Sequence, residues 1–146
     1  KLTFTAPWDF DSAMGNKDRC ADSTGLYAAN IVPDVNGNYE TINPWLAVLM
    51  YEEWFTDIIR ENWTEAYNSG IFTSACDMIK ADTAEYTAAF NRNYTRWNNI
   101  LKNDAFKMEL SKKAKKCRSH SDCSEYLCDW LTKRIDYLNG YWNSTR

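Results

Sequence analysis

Two carboxylates near the start of the chain, Asp9 and Asp11, stand i, i+2 within Pro7-Trp8-Asp9-Phe10-Asp11-Ser12-Ala13-Met14-Gly15-Asn16. Ahead of them, Thr3-Phe4-Thr5 brings β-branched and aromatic residues together, so a strand is expected there, with Pro7 ending its pairing. The acidic pair then falls where strand gives way to loop, and Gly15 is free to take a positive φ. Two hard oxygen donors at such an edge suit Mg²⁺, which takes one or two carboxylates and leaves its other positions to water or phosphate. The same pair also suits a plain turn, because Asp bonds its own backbone in loops. A calcium loop fits badly: Ala13 stands where a third acidic ligand belongs, and the glycine falls one place late. Asp34-Val35-Asn36-Gly37-Asn38 fails the same test, since position twelve would be Trp45, and Asn36-Gly37 is read as a hairpin turn.

The other residues with chemical potential lie late in the chain. Five cysteines are present, Cys20, Cys76, Cys117, Cys123 and Cys128, a count that leans toward an oxidising compartment. An odd number leaves one thiol free or paired elsewhere. Cys117, His120, Cys123 and Cys128 span only twelve residues, whereas zinc modules space two ligand pairs more widely. Cys123 and Cys128 would also lie about 140° apart around a helix. A disulfide joining Cys117 to Cys123 or Cys128 is therefore preferred over zinc. His120, the one histidine, sits in a turn-like Ser119-His120-Ser121 and offers no nucleophilic pair. Lys112, Lys113, Lys115, Lys116 and Arg118 form a basic run, read first as a solvated helix face and second as a contact for an acidic or phosphorylated partner. No Gly-rich phosphate loop occurs. Sequons at Asn62, Asn93 and Asn143 are too few to decide anything.

The elements that must position these groups are mostly helical. Residues 17–43 are polar and loop-like, with Leu26 to Val32 and Tyr39 to Ile42 able to pair around Asn36-Gly37. Asn43-Pro44 is an N-cap followed by proline at the first helical position. Trp45 to Tyr51 is apolar nearly all round, so a buried helix is expected. Glu52 to Asn68 carries Phe55, Ile58, Ile59 and Trp63 at helical spacing, and Ser69-Gly70 should stop it. A third helix is expected from about Thr73, bending near Asp82, where Asp82 with Glu85 resembles a capping box. Tyr86, Phe90, Tyr94, Trp97 and Leu101 make one stripe beyond it. Asp122 with Glu125 repeats the capping pattern before a last helix, on which Leu127, Leu131, Arg134, Leu138 and Trp142 share a face. The stripes are read as core. The fold class expected is mainly α with a small N-terminal β element.

At 146 residues the chain is the size of one domain and long enough to bury a core. Seven Trp and nine Tyr fill either a large core or a contact surface. A net charge of −3 gives no support for a nucleic-acid partner. No apolar run reaches the length of a membrane span. The first residue is Lys, so the expectation is a mature, processed or excised chain.

Pro7-Trp8-Asp9-Phe10-Asp11 followed by Gly15-Asn16 resembles a signature of the CotH family, the spore coat protein H-like atypical kinases. Trp45 to Trp63, Ala89-Phe90-Asn91-Arg92-Asn93-Tyr94-Thr95-Arg96-Trp97, and Glu125-Tyr126-Leu127 with Trp130-Leu131, Arg134-Ile135 and Leu138 resemble further segments of that family in the same order. Each piece is weak alone; the ordered set is fairly specific.

The resemblance implies a distant relative of the protein-kinase fold, with the helices after residue 43 matching its C-terminal lobe. It implies that Asp9 takes the place of the aspartate that holds Mg²⁺ on the phosphates of ATP, and that Asp11 replaces the usual glycine. The phosphate-covering loop, its lysine and the catalytic-loop acid normally precede this motif, and only eight residues precede Asp9. The expectation is one unit over residues 1–146, with strand, acidic turn and hairpin in 1–43 and helices in 44–146. It would form the C-terminal part of a larger domain, with no catalytic residue of its own and with the N-terminal part of the same protein as partner. Secreted, spore-coat, cell-surface and cellulosomal proteins are the family's setting, which agrees with the cysteines. Two functions follow. One is phosphoryl transfer from ATP to Ser or Thr of extracellular or coat proteins; the other is a non-catalytic surface or assembly module.

Overall fold

The computed structural model describes residues 13–26, 31–33, 39–41, 44–97 and 109–144. They are mainly helical. A three-residue 3-10 turn at Asp18–Cys20 comes first, then strands β1 (Ile31–Pro33) and β2 (Tyr39–Thr41), paired antiparallel with Val32 opposite Glu40. Among the described residues five α-helices follow: α1 (Pro44–Leu49), α2 (Glu53–Asn68), α3 (Ile71–Glu85), α4 (Thr87–Trp97) and α5 (His120–Asn143). A second 3-10 turn, Ala114–Lys116, precedes α5. The strand expected at Thr3–Thr5, the Asn36-Gly37 turn and Leu101 lie outside the described residues. No helix among the described residues is long and apolar enough to cross a membrane.

The punctuation follows local chemistry. α1 starts at Pro44, whose missing N–H costs nothing at a helix start. α2 stops where Gly70 takes φ +78°, a left-handed cap open to any glycine but awkward for other residues. Two boundaries move from their expected places. The break after α3 falls at Tyr86 rather than Asp82, because the Asp82 carbonyl still accepts the Tyr86 N–H at 2.9 Å. The last helix is capped by Ser119 and not by Asp122. The Ser119 hydroxyl accepts the Asp122 N–H at 3.1 Å, and the Asp122 carboxylate reaches back to the Arg118 N–H at 2.7 Å. The cap-and-return logic is that of a capping box, set three residues earlier.

The described residues group into two compact units. In the first, residues 1–23 and 75–134, α5 is the central element. Ser124 and Cys128 are buried on it, and Thr83 of α3 lies with its hydroxyl 2.7 Å from Ser124 Oγ. In the second, residues 24–74 and 135–146, α2 packs on the end of α5. Trp63 stacks on Phe72 with centroids 4.8 Å apart and gives its indole N–H to Asn139 at 3.3 Å. Arg60 Nε donates to the Trp142 carbonyl at 3.1 Å, and Trp142 is buried.

Two burial expectations fail. α1 is not a buried helix: Trp45 and Val48 on it are exposed, and Tyr51 just past its end is 92% exposed. An all-round apolar surface sets a preference for cover, but cover depends on what the rest of the chain brings against it. The 86/90/94/97 stripe is also split. Phe90 and Tyr94 are half-buried, whereas Tyr86 and Trp97 are exposed. The basic run is not a helix face either. It forms the 3-10 turn at Ala114–Lys116 and its flanks, because Cys117 turns extended.

Candidate functional site

Asp9 and Asp11 lie outside the described residues. What the structure describes is how the chain just after them is held. Ala13 to Asn16 form a tight turn, with the Asn16 N–H on the Ala13 carbonyl at 3.1 Å. Its two central residues both have positive φ, Met14 at 55° and Gly15 at 85°, the pattern of a type I′ turn. Gly15 thus takes the positive φ expected of it. A side chain there would also collide: a Cβ would lie 2.6 Å from both the Trp130 ring and the Tyr126 hydroxyl.

From this turn the chain runs antiparallel to residues 109–111. Asp18 N–H donates to the Glu109 carbonyl at 2.9 Å and Ser111 N–H to the Asn16 carbonyl at 2.8 Å. Lys17 and Glu109 pair as ions across it. Ser111, only 1% exposed, faces the Tyr126 hydroxyl at 3.1 Å and accepts the Ala114 N–H at 3.1 Å.

α5 clamps this segment with three side chains one turn apart. Tyr126 donates its hydroxyl to the Gly15 carbonyl at 2.7 Å, Trp130 its indole N–H to the Ala21 carbonyl at 3.1 Å, and Arg134 its guanidinium to the Ser23 carbonyl at 3.1 Å. Spacing i, i+4, i+8 keeps the three on one helical stripe. Each ties up a loop carbonyl that no secondary structure would satisfy. The leucine stripe drew attention in the sequence, and these donors were missed as a set. The available signal was three donor-tipped side chains at four-residue intervals. Beside the clamp, Lys133 and Lys113 approach Asp129 at 2.6 and 3.5 Å; the Lys133 hydrogen bond is the main cause holding that carboxyl below its usual range.

His120 belongs to a separate feature of the first unit, an open cavity of about 600 Å³ lined among others by Lys80, Thr87, Phe90 and Ser121. Its ring stacks on Phe90 with centroids 3.4 Å apart, and its Nδ1 meets the Tyr94 hydroxyl at 2.9 Å. Burial lowers its pKa below the ordinary 6.5, and burial followed by the Cys123 thiol raises that of Tyr94. This is the arrangement of a packed, hydrogen-bonded histidine. The ligands once weighed for zinc are dispersed: His120 turns to Tyr94, and the Cys128 sulfur reaches the Cys76 carbonyl at 3.8 Å. Groups of three or more metal-ligating side chains are absent among the described residues.

All five cysteines are described, and all are free thiols. The disulfide expected at Cys117 is therefore not formed in this structure. Burial first, then the nearby Cys117 thiol, pushes the Cys123 thiol up to about 12, while the Cys117 sulfur itself reaches the Lys113 carbonyl at 3.8 Å. The Cys128 sulfur lies instead against the Cys76 carbonyl. A helical step of five residues turns Cys128 away from the side that Cys123 shares with Cys117.

The fold and these contacts define a mainly helical protein whose last described helix grips a glycine turn directly after an acidic segment. The family model described as CotH kinase protein matches residues 1–138, and the chain belongs to that family. The match takes in the acidic pair, the turn and all three clamp residues. No curated protein and no solved structure gives a match.

Proposed function

We propose that this chain carries the metal-holding segment of a CotH-family kinase that transfers the γ-phosphoryl group of ATP to Ser or Thr of secreted, coat or surface proteins. Membership of the family carries this reading. The clamp supports it, because Tyr126, Trp130 and Arg134 restrain the backbone from Gly15 to Ser23, a few residues past the carboxylates. The donor set fits the metal: Asp9 and Asp11 are hard oxygen ligands, and two nearby carboxylates repel until a divalent cation relieves them. Asp9 is assigned to Mg²⁺ and Asp11 to a second ligand or an orienting group. Bound Mg²⁺ supplies charge neutralisation on the nucleotide phosphates. The chain's own part is to hold the acidic segment's exit fixed, with the three clamp side chains as positioning residues. In this reading a phosphate-covering loop with its lysine and a catalytic-loop acid complete the site. An oxidising, extracellular or surface location belongs to the same proposal.

The test is ATP-dependent labelling of a substrate protein by the natural protein and its Asp9→Asn variant, with thermal melts alongside. Labelling should fall by orders of magnitude, since metal neutralisation of the phosphates is central to this chemistry. The melt should be nearly unchanged. Equal labelling by both proteins overturns the catalytic assignment. A non-catalytic assembly module is the second reading. It draws on the exposed aromatic side chains of the second unit, Trp45, Tyr51 and Trp54. It takes over if labelling does not depend on Asp9, or if the variant fails to fold because Asp9 caps a turn.

A further inference from the structure

The basic run of the first unit is put on display by its turn. Residues 111–118 include five cations, Lys112, Lys113, Lys115, Lys116 and Arg118, and no acid. Lys115 N–H donates to the Ser111 carbonyl at 2.9 Å, Lys116 N–H to the Lys113 carbonyl at 3.0 Å and Cys117 N–H to the Ala114 carbonyl at 3.2 Å. In a 3-10 turn, side chains three apart eclipse. Ser111, Ala114 and Cys117 therefore share the inner edge, where Ser111 and Cys117 are buried. The lysine pairs 112/115 and 113/116 take the two remaining edges. Lys112, Lys113 and Lys116 are exposed, and Lys115 is half-buried. Arg118 closes the far end, its guanidinium donating to the Lys115 and Cys117 carbonyls at 2.8 and 3.1 Å.

The carboxylates around this platform are already engaged. Asp122 accepts the Arg118 N–H at 2.7 Å, Asp129 lies between Lys133 and Lys113, and Glu109 pairs with Lys17. Residues 109–134 carry seven cations against four carboxylates, so the surplus on the turn stays positive. No large apolar side chain among residues 109–134 is exposed, so the platform lacks the apolar anchor that a membrane-seated basic segment sets beside its charges. The chain's net charge of −3 disfavours a nucleic acid.

We propose that the Lys112–Lys116 platform docks an already phosphorylated stretch of a protein substrate, with phosphoserines at alternate positions of an extended segment. The inference rests on the kinase reading above and names its substrate class: proteins with clustered serines. Phosphoserine brings a dense negative charge and three acceptor oxygens, which ammonium groups meet as point charges. Lysines three apart in a 3-10 turn stand about 6 Å apart along its axis, and alternate residues of an extended chain about 7 Å apart. The two spacings match. The platform is also joined to the segment that leaves the acidic pair. Ser111 N–H donates to the Asn16 carbonyl at 2.8 Å, and the Ser111 hydroxyl lies 3.1 Å from that of Tyr126, which grips Gly15. A phosphorylated stretch held there raises the local concentration of the serines beside it, so each transfer favours the next.

The experiment follows the fluorescence anisotropy of a labelled peptide with three phosphoserines at alternate positions, titrated with the chain, beside its unphosphorylated form. The phosphopeptide should bind at least about tenfold more tightly, with an affinity that falls as salt rises. Lys112→Glu with Lys116→Glu should lose about tenfold of that affinity, while Lys112→Arg with Lys116→Arg keeps it. Lys80→Glu with Arg92→Glu makes the same change in net charge away from the platform and should stay within about twofold of the natural chain. Thermal melts accompany each variant, and Lys112→Gln with Lys116→Gln carries the test if charge reversal lowers Tm. Equal binding of the two peptides, no loss at 112 and 116, or an equal loss at 80 and 92 overturns the proposal. So does tighter binding, through the same lysines, to vesicles containing phosphatidylserine. The kinase reading fails separately. Asp9→Asn should remove labelling and leave peptide affinity unchanged. Lys112→Glu with Lys116→Glu should still label a single-serine peptide but slow the second and third transfers on a three-serine one; equal rates at all three serines overturn the docking role.

Discussion

The stripe of α5 at Tyr126, Trp130 and Arg134 and the helix α1 at Trp45 and Val48 are both rich in bulky side chains, yet they end differently. On α5 each side chain has a polar tip that finds a loop carbonyl, and the apolar body is drawn down with it. On α1 the side chains reach solvent, Trp45 at 80% exposure. The difference teaches that size and apolarity alone do not cover a bulky side chain; on α5 a specific loop carbonyl holds each one down, because an unsatisfied buried carbonyl is costly.

The widest separation between the two regions should appear on truncating a tryptophan in each. Trp130→Ala removes a packed ring and leaves the Ala21 carbonyl without its donor, and should cost about 3–4 kcal/mol. Trp45→Ala should stay within about 0.5 kcal/mol, as for an exposed position. Urea melts of both variants measure this, and equal losses would dissolve the contrast.

A smaller separation is expected between two glycines that share a left-handed backbone. Gly15 has φ +85° and no room for a methyl group against Trp130 and Tyr126; Gly70 has φ +78° and nothing within 4 Å. Gly70→Ala should show only the backbone penalty, about 1 kcal/mol. Gly15→Ala adds the displacement of the clamp and should cost about 2–3 kcal/mol. A Gly15→Ala loss no larger than that at Gly70 would mean the clamp yields freely.

The smallest effect concerns pH. His120 is held below its ordinary pKa by burial against Phe90 and Tyr94. Its folded pKa is depressed, so the unfolded chain binds the proton first as pH falls. The stability tied to the neutral ring is complete above the unfolded value near 6.5 and is lost as pH falls through the lower folded value. The helix N-terminus at His120 opposes the positive charge as well. Melts of wild type and His120→Gln between pH 8 and 5 should converge toward the acid end. Parallel curves would show that the ring stays solvated.

Much of the secondary structure was legible in residues alone because its causes are local. Pro44 opens a helix and Gly70 closes one whatever surrounds them, and the 55/59/63 spacing marks a helical face without knowledge of its neighbour. Even Gly15 announced its backbone. The capping of α5 was misplaced by three residues because Ser119 and Asp122 both suit the position, and only the bond to Asp122 N–H chooses between them. The acidic pair and its family pattern were also readable, since they are contiguous.

What the tertiary structure alone decided lies between residues far apart in the chain. Gly15 meets Tyr126, Ala21 meets Trp130 and Ser23 meets Arg134 across about 110 positions. The Cys128 sulfur meets the Cys76 carbonyl. Composition and periodicity record what a segment prefers for itself: a helix, a turn, an apolar face. They carry no record of which carbonyl or sulfur will stand opposite, because that depends on how the whole chain closes and which buried polar groups must then be satisfied. α1 shows the same limit from the other side. Its sequence states a preference for burial, and the fold leaves Trp45 and Val48 in water.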